Sequence, residues 1–246
     1  MDRLIYTAMT GAKHTLGQQA AVAHNLANAT STGFRSEMHR LRAVEVQTDA
    51  LRTRSFTVDA SIATDFATGP LQFTGRSYDA AIEGKGWFTV GMPDGSEAYT
   101  RNGNFEVSPN GVLQTRAGQP VLGENGTPIT IPPDSVVSIG RDGSISVIEA
   151  GANTVVNIVD RLKVVNPPEE NLVRGEDGLF RVTGDQPVPL DENVQVAGGY
   201  LEGSNVKVVD QLVAMISLAR QFEMQTRMLQ TAETNDRAAA QILSNR

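Results

Sequence analysis

Both ends of this chain carry an apolar stripe at helical spacing, and that pairing restricts the fold more than any other feature. Towards the C-terminus Val208, Leu212, Met215, Ala219, Phe222, Thr226 and Leu229 recur at alternating steps of four and three. That is the seam of a helix that packs along another helix. The pattern predicts a helix from about residue 205 to 243, with Ser204 and Asn205 placed to cap its first amides. At about 1.5 Å per residue it would run to roughly 55 Å, longer than a compact domain of this size covers. Beyond Leu229 the stripe weakens, because Glu233 and Asp236 fall where apolar residues are wanted. Towards the N-terminus Ile5, Met9, Ala12, Leu16, Gln19, Ala23 and Leu26 keep the same spacing over residues 3–27, and the alanines permit close helix approach. The two ends are expected to pack together as a coiled coil, with the rest of the chain inserted between them. Two facing helices bury only one side of each, and Val209, Val213, Ile216 and Leu218 lie off the seam. A buried side chain of this kind contributes about 1.5–3 kcal/mol. Faces left uncovered are therefore expected to be buried against other copies or partners.

The first helix should stop near Asn28, where residues 27–35 read Ala-Asn-Ala-Thr-Ser-Thr-Gly-Phe-Arg. Such residues draw the backbone out of a helix through local side-chain bonds, and Gly33 is a natural turn position. Phe34 offers an apolar anchor just past the break. Residues 35–75 are harder to read. Arg35, Arg40, Arg42, Arg52 and Arg54 stand against Glu37, Glu45 and Asp49, a solvated, partly paired face first and a phosphate patch second. Met38, Leu41, Val44 and Leu51 fit a short helix and an extended arm equally well. Gly69-Pro70 is a turn. From Tyr78 to about Leu201 the texture changes to strands and tight turns. Asn110-Gly111, Asn125-Gly126 and Asp142-Gly143 are hairpin dipeptides, with Asp94-Gly95 and Asp177-Gly178 similar. Ile145–Ile148 and Val155–Val165 read as strands, and Pro132-Pro133 and Pro167-Pro168 interrupt the runs. The expected fold is α+β: N- and C-terminal helices packed as a coiled coil around an inserted antiparallel β-rich domain. The expected divisions are a helix and turn over 1–34, an arm or linker over 35–75, a β-rich domain over 76–203 and a helix over 204–246.

A net charge of −7 on 246 residues argues against nucleic acid as the main partner. The absence of cysteine excludes disulfides and thiolate chemistry. No apolar run approaches the roughly 20 residues of a membrane span, and the first residues do not read as a signal peptide. No catalytic set stands out. His14 and His24 are ten residues apart on one helix and out of line, His39 lies in the arm, and no metal-ligand spacing is present. Gly84-Lys85-Gly86 is too short for a phosphate loop. Glu83 with Glu106, or Asp142 with Glu149, would be the carboxylate pairs of a cell-wall glycan hydrolase, the alternative from a different class. A glycan-binding β module with helical handles is a third reading. Aromatics at 5% leave little to stack a sugar on. The leading expectation is a structural protein with no catalytic, metal-binding or cofactor-binding residues. It assembles through Ile5, Met9, Ala12, Leu16, Ala23, Leu26, Asn28, Gly33 and Phe34 at one end and Val208, Leu212, Met215, Ala219, Phe222 and Leu229 at the other.

Three blocks of residues carry a resemblance. The first runs from His24-Asn25-Leu26-Ala27-Asn28 to Thr32-Gly33-Phe34-Arg35. The second includes Asp79-Ala80-Ala81-Ile82-Glu83-Gly84-Lys85-Gly86-Trp87-Phe88, then Tyr99-Thr100-Arg101-Asn102-Gly103-Asn104-Phe105 and Val121-Leu122-Gly123. The third is Gly199-Tyr200-Leu201-Glu202-Gly203-Ser204-Asn205-Val206, leading into the last helix. Together they resemble the bacterial flagellar rod and hook family, with His24 where that family usually has Asn, Arg35 where it has Lys and Trp87 where it has Phe. The blocks reach both ends and the middle of the chain. The opening Met1-Asp2-Arg3-Leu4-Ile5-Tyr6-Thr7-Ala8-Met9 and the short length look most like the proximal rod members; distal rod members are the near alternative. The resemblance implies an axial subunit exported unfolded through the flagellar type III apparatus, without a cleaved signal peptide, and polymerised in the periplasmic space. It implies terminal helices in an inner coiled-coil core and a β domain in an outer layer. Its implied partners are copies of itself, other proximal and distal rod subunits, and the MS-ring and export-gate base of the rod.

Overall fold

The computed structural model describes residues 2–45, 55–149, 156–184 and 187–244. They form an α+β protein of two long helices and many antiparallel strands. The chain divides into two compact units. One comprises Met1–Ala29, Ser36–Asp65 and Val206–Arg246, and the other Thr30–Arg35 and Phe66–Asn205.

In the helical unit α1 spans Asp2–Ala27. It stops where the sequence turns polar: the Asn28 amide donates to the His24 and Asn25 carbonyls, and Asn28 Nδ2 also donates to His24 O at 3.0 Å. That side chain adds a second donor to a carbonyl that the Asn28 amide already bonds. The stretch that periodicity left undecided is a hairpin. Strands β1 (Glu37–Glu45) and β2 (Ser55–Thr64) pair antiparallel, with Glu37 opposite Thr64, Glu45 opposite Ser55 and a bulge at Arg40/Leu41. Charged and apolar residues mix in β1 without a steady alternation, so pairing with β2 rather than local pattern selects the strand. Asp49, Leu51, Arg52 and Arg54 lie outside the described residues. The second helix, α2, spans Val208–Ser244. It opens three residues beyond Asn205, whose Nδ2 donates to Ala67 O at 3.1 Å.

The β unit contains, in chain order, β3 (Leu71–Phe73), β4 (Ala80–Glu83), β5 (Trp87–Gly91), β6 (Glu97–Thr100), β7 (Phe105–Val107), β8 (Leu113–Thr115) and β9 (Ser135–Ile139). There follow β10 (Ser144–Glu149), β11 (Asn157–Arg161), β12 (Val164–Val165), β13 (Leu172–Arg174), β14 (Phe180–Val182), β15 (Gln195–Gly198) and β16 (Tyr200–Glu202). Val155, the expected start of one strand, lies outside the described residues. The order β12-β5-β6-β14-β13 makes a five-stranded sheet and β11-β10-β9 a three-stranded one, with the pairs β15-β4, β16-β3 and β7-β8 beside them. The glycines of Asp94-Gly95, Asn110-Gly111, Asn125-Gly126, Asp142-Gly143 and Asp177-Gly178 all turn at positive φ, the geometry that tight hairpins require.

Strand β5 is buried on both faces, and its alternation sorts it between two cores. Phe88 and Val90 join a large cluster with Ile82, Phe105, Leu113 and Ile129, where Phe88 meets Phe105 edge to face at 5.3 Å. Trp87 points the other way, into a smaller cluster with Tyr99, Val165, Leu172 and Phe180. Its ring lies 4.6 Å from Phe180 and 6.1 Å from Phe66.

Candidate functional site

The helices present two kinds of surface. On α1 the face turned towards α2 is built from small and polar side chains. Ala8 and Thr15 are buried, a side chain at Gly11 would meet the Gln225 amide, and Thr15 Oγ1 donates to Gln225 Oε1 at 3.3 Å. Residues 8, 11 and 15 share one helix face, one position away from the apolar stripe in the sequence. Met9 and Leu16, at 56% and 51% exposure, lie on that stripe and stay wet, as does Ala23. Ala12, Leu26 and Asn28 are half-buried, and the Ile5 side chain lies outside those described. On α2 Met215, Ala219, Phe222 and Leu229 are half-buried. Val208 and Leu212 are exposed, together with Val209, Val213 and Ile216 from off the stripe. The offset has a steric origin. Close approach of two helices selects small residues, so the bulkier side chains are left on the adjoining face.

The segment after α1 is held in two places. Within the helical unit Asn25 clasps the start of β1: its Nδ2 donates to Glu37 O and its Oδ1 accepts from Glu37 N, both at 2.8 Å. The Glu37 carboxylate lies 3.4 Å from His24 Nδ1. In the β unit residues 30–35 enter the fold as an integral part of it. Gly33 N donates to Glu202 O at 2.7 Å. The Gly33 backbone passes so close to the Arg101–Asn102 peptide that a Cβ would fall 2.5 Å from it, at a φ of +67°. Only glycine meets both conditions. Phe34 is buried, with the Arg174 guanidinium 4.7 Å above its ring, a cation–π contact. Arg174 Nη1 also donates to Arg35 O at 3.1 Å.

Arg35 then closes the most deeply buried ionic group among the described residues. Its Nη1 is 2.7 Å from Glu202 Oε1, and Arg101 Nε is 3.2 Å from Glu202 Oε2. The three residues are 1%, 3% and 1% exposed. Glu202 Oε1 also accepts from Gly69 N at 2.8 Å. Gly69 is confined by the Gly203 carbonyl, which a Cβ would meet at 2.0 Å. Both guanidinium groups flank the Trp87 ring, at 5.9 and 5.7 Å. Burial pulls the Arg101 guanidinium down to about 10, against the raising effect of Glu202 and with a lowering push from Arg35. It stays charged at neutral pH. One carboxylate thus ties together the entry of the chain into the β unit, the strand block around Arg101 and the exit towards α2. Reading along the sequence placed Gly33 and Phe34 at the expected interface, and met Arg101 and Glu202 only as members of the family blocks, with no role given to them. A charged residue at the edge of an apolar strand, as in Leu201-Glu202, was the available signal.

The residues considered for chemistry do not converge. Glu83 is exposed and 3.3 Å from Arg141 Nη2, while Glu106 accepts from Gln114 Nε2 at 3.2 Å. Asp142 accepts from the hydroxyl and amide of Ser144. Among the described residues no group of three His, Cys, Asp or Glu could hold a metal ion, and no helix is long and apolar enough to cross a membrane.

Comparison with known proteins fits an assembly part. Residues 81–147 match the flagellar hook protein FlgE/F/G D1 domain, and residues 197–242 match the flagellar basal body rod FlgEFG protein C-terminal domain. The chain is 43% identical over 252 aligned residues to the flagellar basal-body rod protein FlgF of Salmonella typhimurium, covering 99% of each chain. The same protein of Escherichia coli is 43% identical, also with 99% of each chain covered. The flagellar basal-body rod protein FlgG of Buchnera aphidicola (subspecies Schizaphis graminum) is 31% identical over 86% of this chain and 88% of its own.

Proposed function

The chain belongs to the FlgF family of flagellar basal-body rod proteins, and from that premise we propose that it builds the proximal segment of the rod. It is a structural subunit of the basal body and does its work by assembly rather than catalysis. In the proposed assembly segments 1–34 and 204–246 make the helical core, 76–203 the β-rich part and 35–75 the arm between. The terminal helices pack as a coiled coil among sister chains and other proximal and distal rod subunits, over the MS-ring and export-gate base. The chain reaches the periplasmic space through the flagellar type III export apparatus.

One observation carries this reading. Met9 and Leu16 on α1, and Val208 and Leu212 on α2, repeat at coiled-coil spacing yet remain exposed beside Val209, Val213 and Ile216. Side chains of that size gain about 1.5–3 kcal/mol each when covered, and neighbouring helices at matching spacing would cover them. Ile5, Ala12, Ala23, Leu26, Met215, Ala219, Phe222 and Leu229 complete the proposed interface. Asn28, Gly33 and Phe34 belong to the same proposed interface.

Leu212→Asp and Phe222→Asp test the interface. Each is expected to abolish rod assembly and motility while the purified chain keeps its β unit folded, seen as an unchanged Trp87 fluorescence melting curve. Rods of normal length built from either variant would refute the seam.

A further inference from the structure

We infer that the outer face of α1 in one copy docks on the outer face of α2 in a second copy, at the same height, and that this contact repeats head to tail. This docking rests on the assembly reading above and names its surface and its partner. Asn205 N donates to Phe34 O at 3.3 Å, so α1 runs towards the point from which α2 departs, and the two helices are antiparallel. Gln225 fills the space beside Gly11, which fixes their relative height. Each helix carries a second stripe at steps of four and three, on the side away from this contact. On α1 it runs from Met9 to Ala27 and on α2 from Val209 to Arg227, and every position of both stripes is exposed.

The two stripes complement each other position by position. At equal height Ala27, Ala23 and Ala20 stand opposite Val209, Val213 and Ile216, so small residues on one helix accept large ones on the other. Further along, Lys13 stands opposite Glu223. Both are exposed, and neither has an ion-pair partner among the described residues. On either side of that pair Leu16 and Met9 meet Arg220 and Arg227, whose methylene stems cover apolar surface while their head groups stay in water. A shift by one heptad, about 10 Å, would set Lys13 against Ile216 and Leu16 against Val213, and the match would be lost. The two faces differ, and each copy offers one of each. The contact is therefore heterologous and continues from copy to copy, whereas like faces would close a pair.

The chain contains no cysteine, so introduced thiols report contacts between copies without background. Ala23→Cys and Val213→Cys are expressed as separate chains together, and also in one chain, and isolated basal bodies are oxidised with copper phenanthroline. The separate chains should form a mixed disulfide, and the doubly substituted chain a ladder of dimers, trimers and longer products. Leu16→Cys with Val213→Cys lies one heptad out of register and should give about a tenth of that product, since its thiols stand too far apart to bridge. Lys13→Glu and Glu223→Lys should each lower the cross-linked fraction about two- to fivefold, and the two together should restore it. If the cysteine variants do not enter rods, the same charge reversals are read by motility, each alone impairing it and both together rescuing it. A cross-link at Leu16 in place of Ala23, disulfides between identical single-cysteine chains, dimers without a ladder, or charge reversals that fail to rescue each other would each overturn the inference. So would rods that contain the chain and yield no cross-link, because another rod subunit then covers the face. Absence of the chain from isolated rods would instead remove the proposed function.

Discussion

In the β unit Ile82, Phe88, Phe105 and Ile129 lose nearly all contact with solvent, whereas Met9 and Leu16 on α1 and Val209, Val213 and Ile216 on α2 stay more than half exposed. One unit encloses a large apolar core within a single chain, with Phe73, Val136, Ile158 and Val173 left outside it. The other spends small side chains on its internal contact and keeps the larger ones outside. A sheet pair with alternating strands can enclose a core by itself, because each strand offers one face inward. A lone pair of long helices cannot, since each buries one stripe and presents the rest. The difference is that the β unit builds its core from its own sequence, whereas on the proposed reading the helical unit is completed by other chains.

The sharpest way to break that comparison is at the carboxylate on which the β unit closes. Glu202→Ala leaves the Arg35 and Arg101 guanidinium groups buried without a counter-charge and should destabilise the β unit by about 3–5 kcal/mol. Trp87, the chain's single tryptophan, lies between those groups and reports the loss in fluorescence-monitored denaturant unfolding. An unchanged midpoint would show that the ionic group does not hold the unit together. A smaller effect, of opposite sign, is expected in the helical unit. Gly11→Ala places its methyl against the flexible end of Gln225, which can swing aside, and helix propensity then favours alanine by about 0.8–1 kcal/mol. Far-ultraviolet circular dichroism should show a higher helix melting point with the Trp87 transition unmoved. A coupled shift of both transitions would mean that the units do not fold separately.

The smallest effect concerns acid. The hydroxyl and amide of Ser144 hold the Asp142 carboxyl below its ordinary value of 3.8, and the Arg181 hydrogen bond does the same for Asp177. A carboxyl with a depressed folded-state pKa contributes stability that is present above its unfolded value and lost as pH falls through the folded one. The β unit should therefore hold constant stability from about pH 5 upward in this respect and weaken below pH 4. Both groups are solvent-accessible, so screening keeps each contribution small. Asp142→Asn should flatten part of the acid limb in pH-dependent unfolding; an identical limb would remove Asp142 from it.

Much of the fold was legible because its signals are local. The stop of α1 at Ala27 follows from the polar run after it, and the five turn dipeptides mark hairpins through the backbone freedom of glycine at positive φ. The β1–β2 hairpin was not legible, because its strands mix charge and apolar residues and are selected by pairing with each other. Part of the candidate site was legible for the same reason. The stripe containing Met9, Leu16, Val208 and Leu212 is a periodicity and visible in one dimension, but it was expected to face the other terminal helix, and these four side chains are exposed. Which face α1 turns to α2 was not legible, because Ala8, Gly11 and Thr15 form no apolar pattern. They are small or polar, and Gly11 and Thr15 meet the Gln225 side chain across the contact.

The amino-acid sequence by itself determined two amphipathic ends, a turn-rich strand region between them and the three blocks that place the chain in its family. Each depends on residues near one another along the chain. Only the tertiary structure decided that Arg35, Arg101 and Glu202 meet, that Gly33 lies against the Arg101–Asn102 peptide, and that the bulky helix residues remain outside. Charge pairing and close approach act between groups far apart in the sequence, and their partners exist only once the chain has closed.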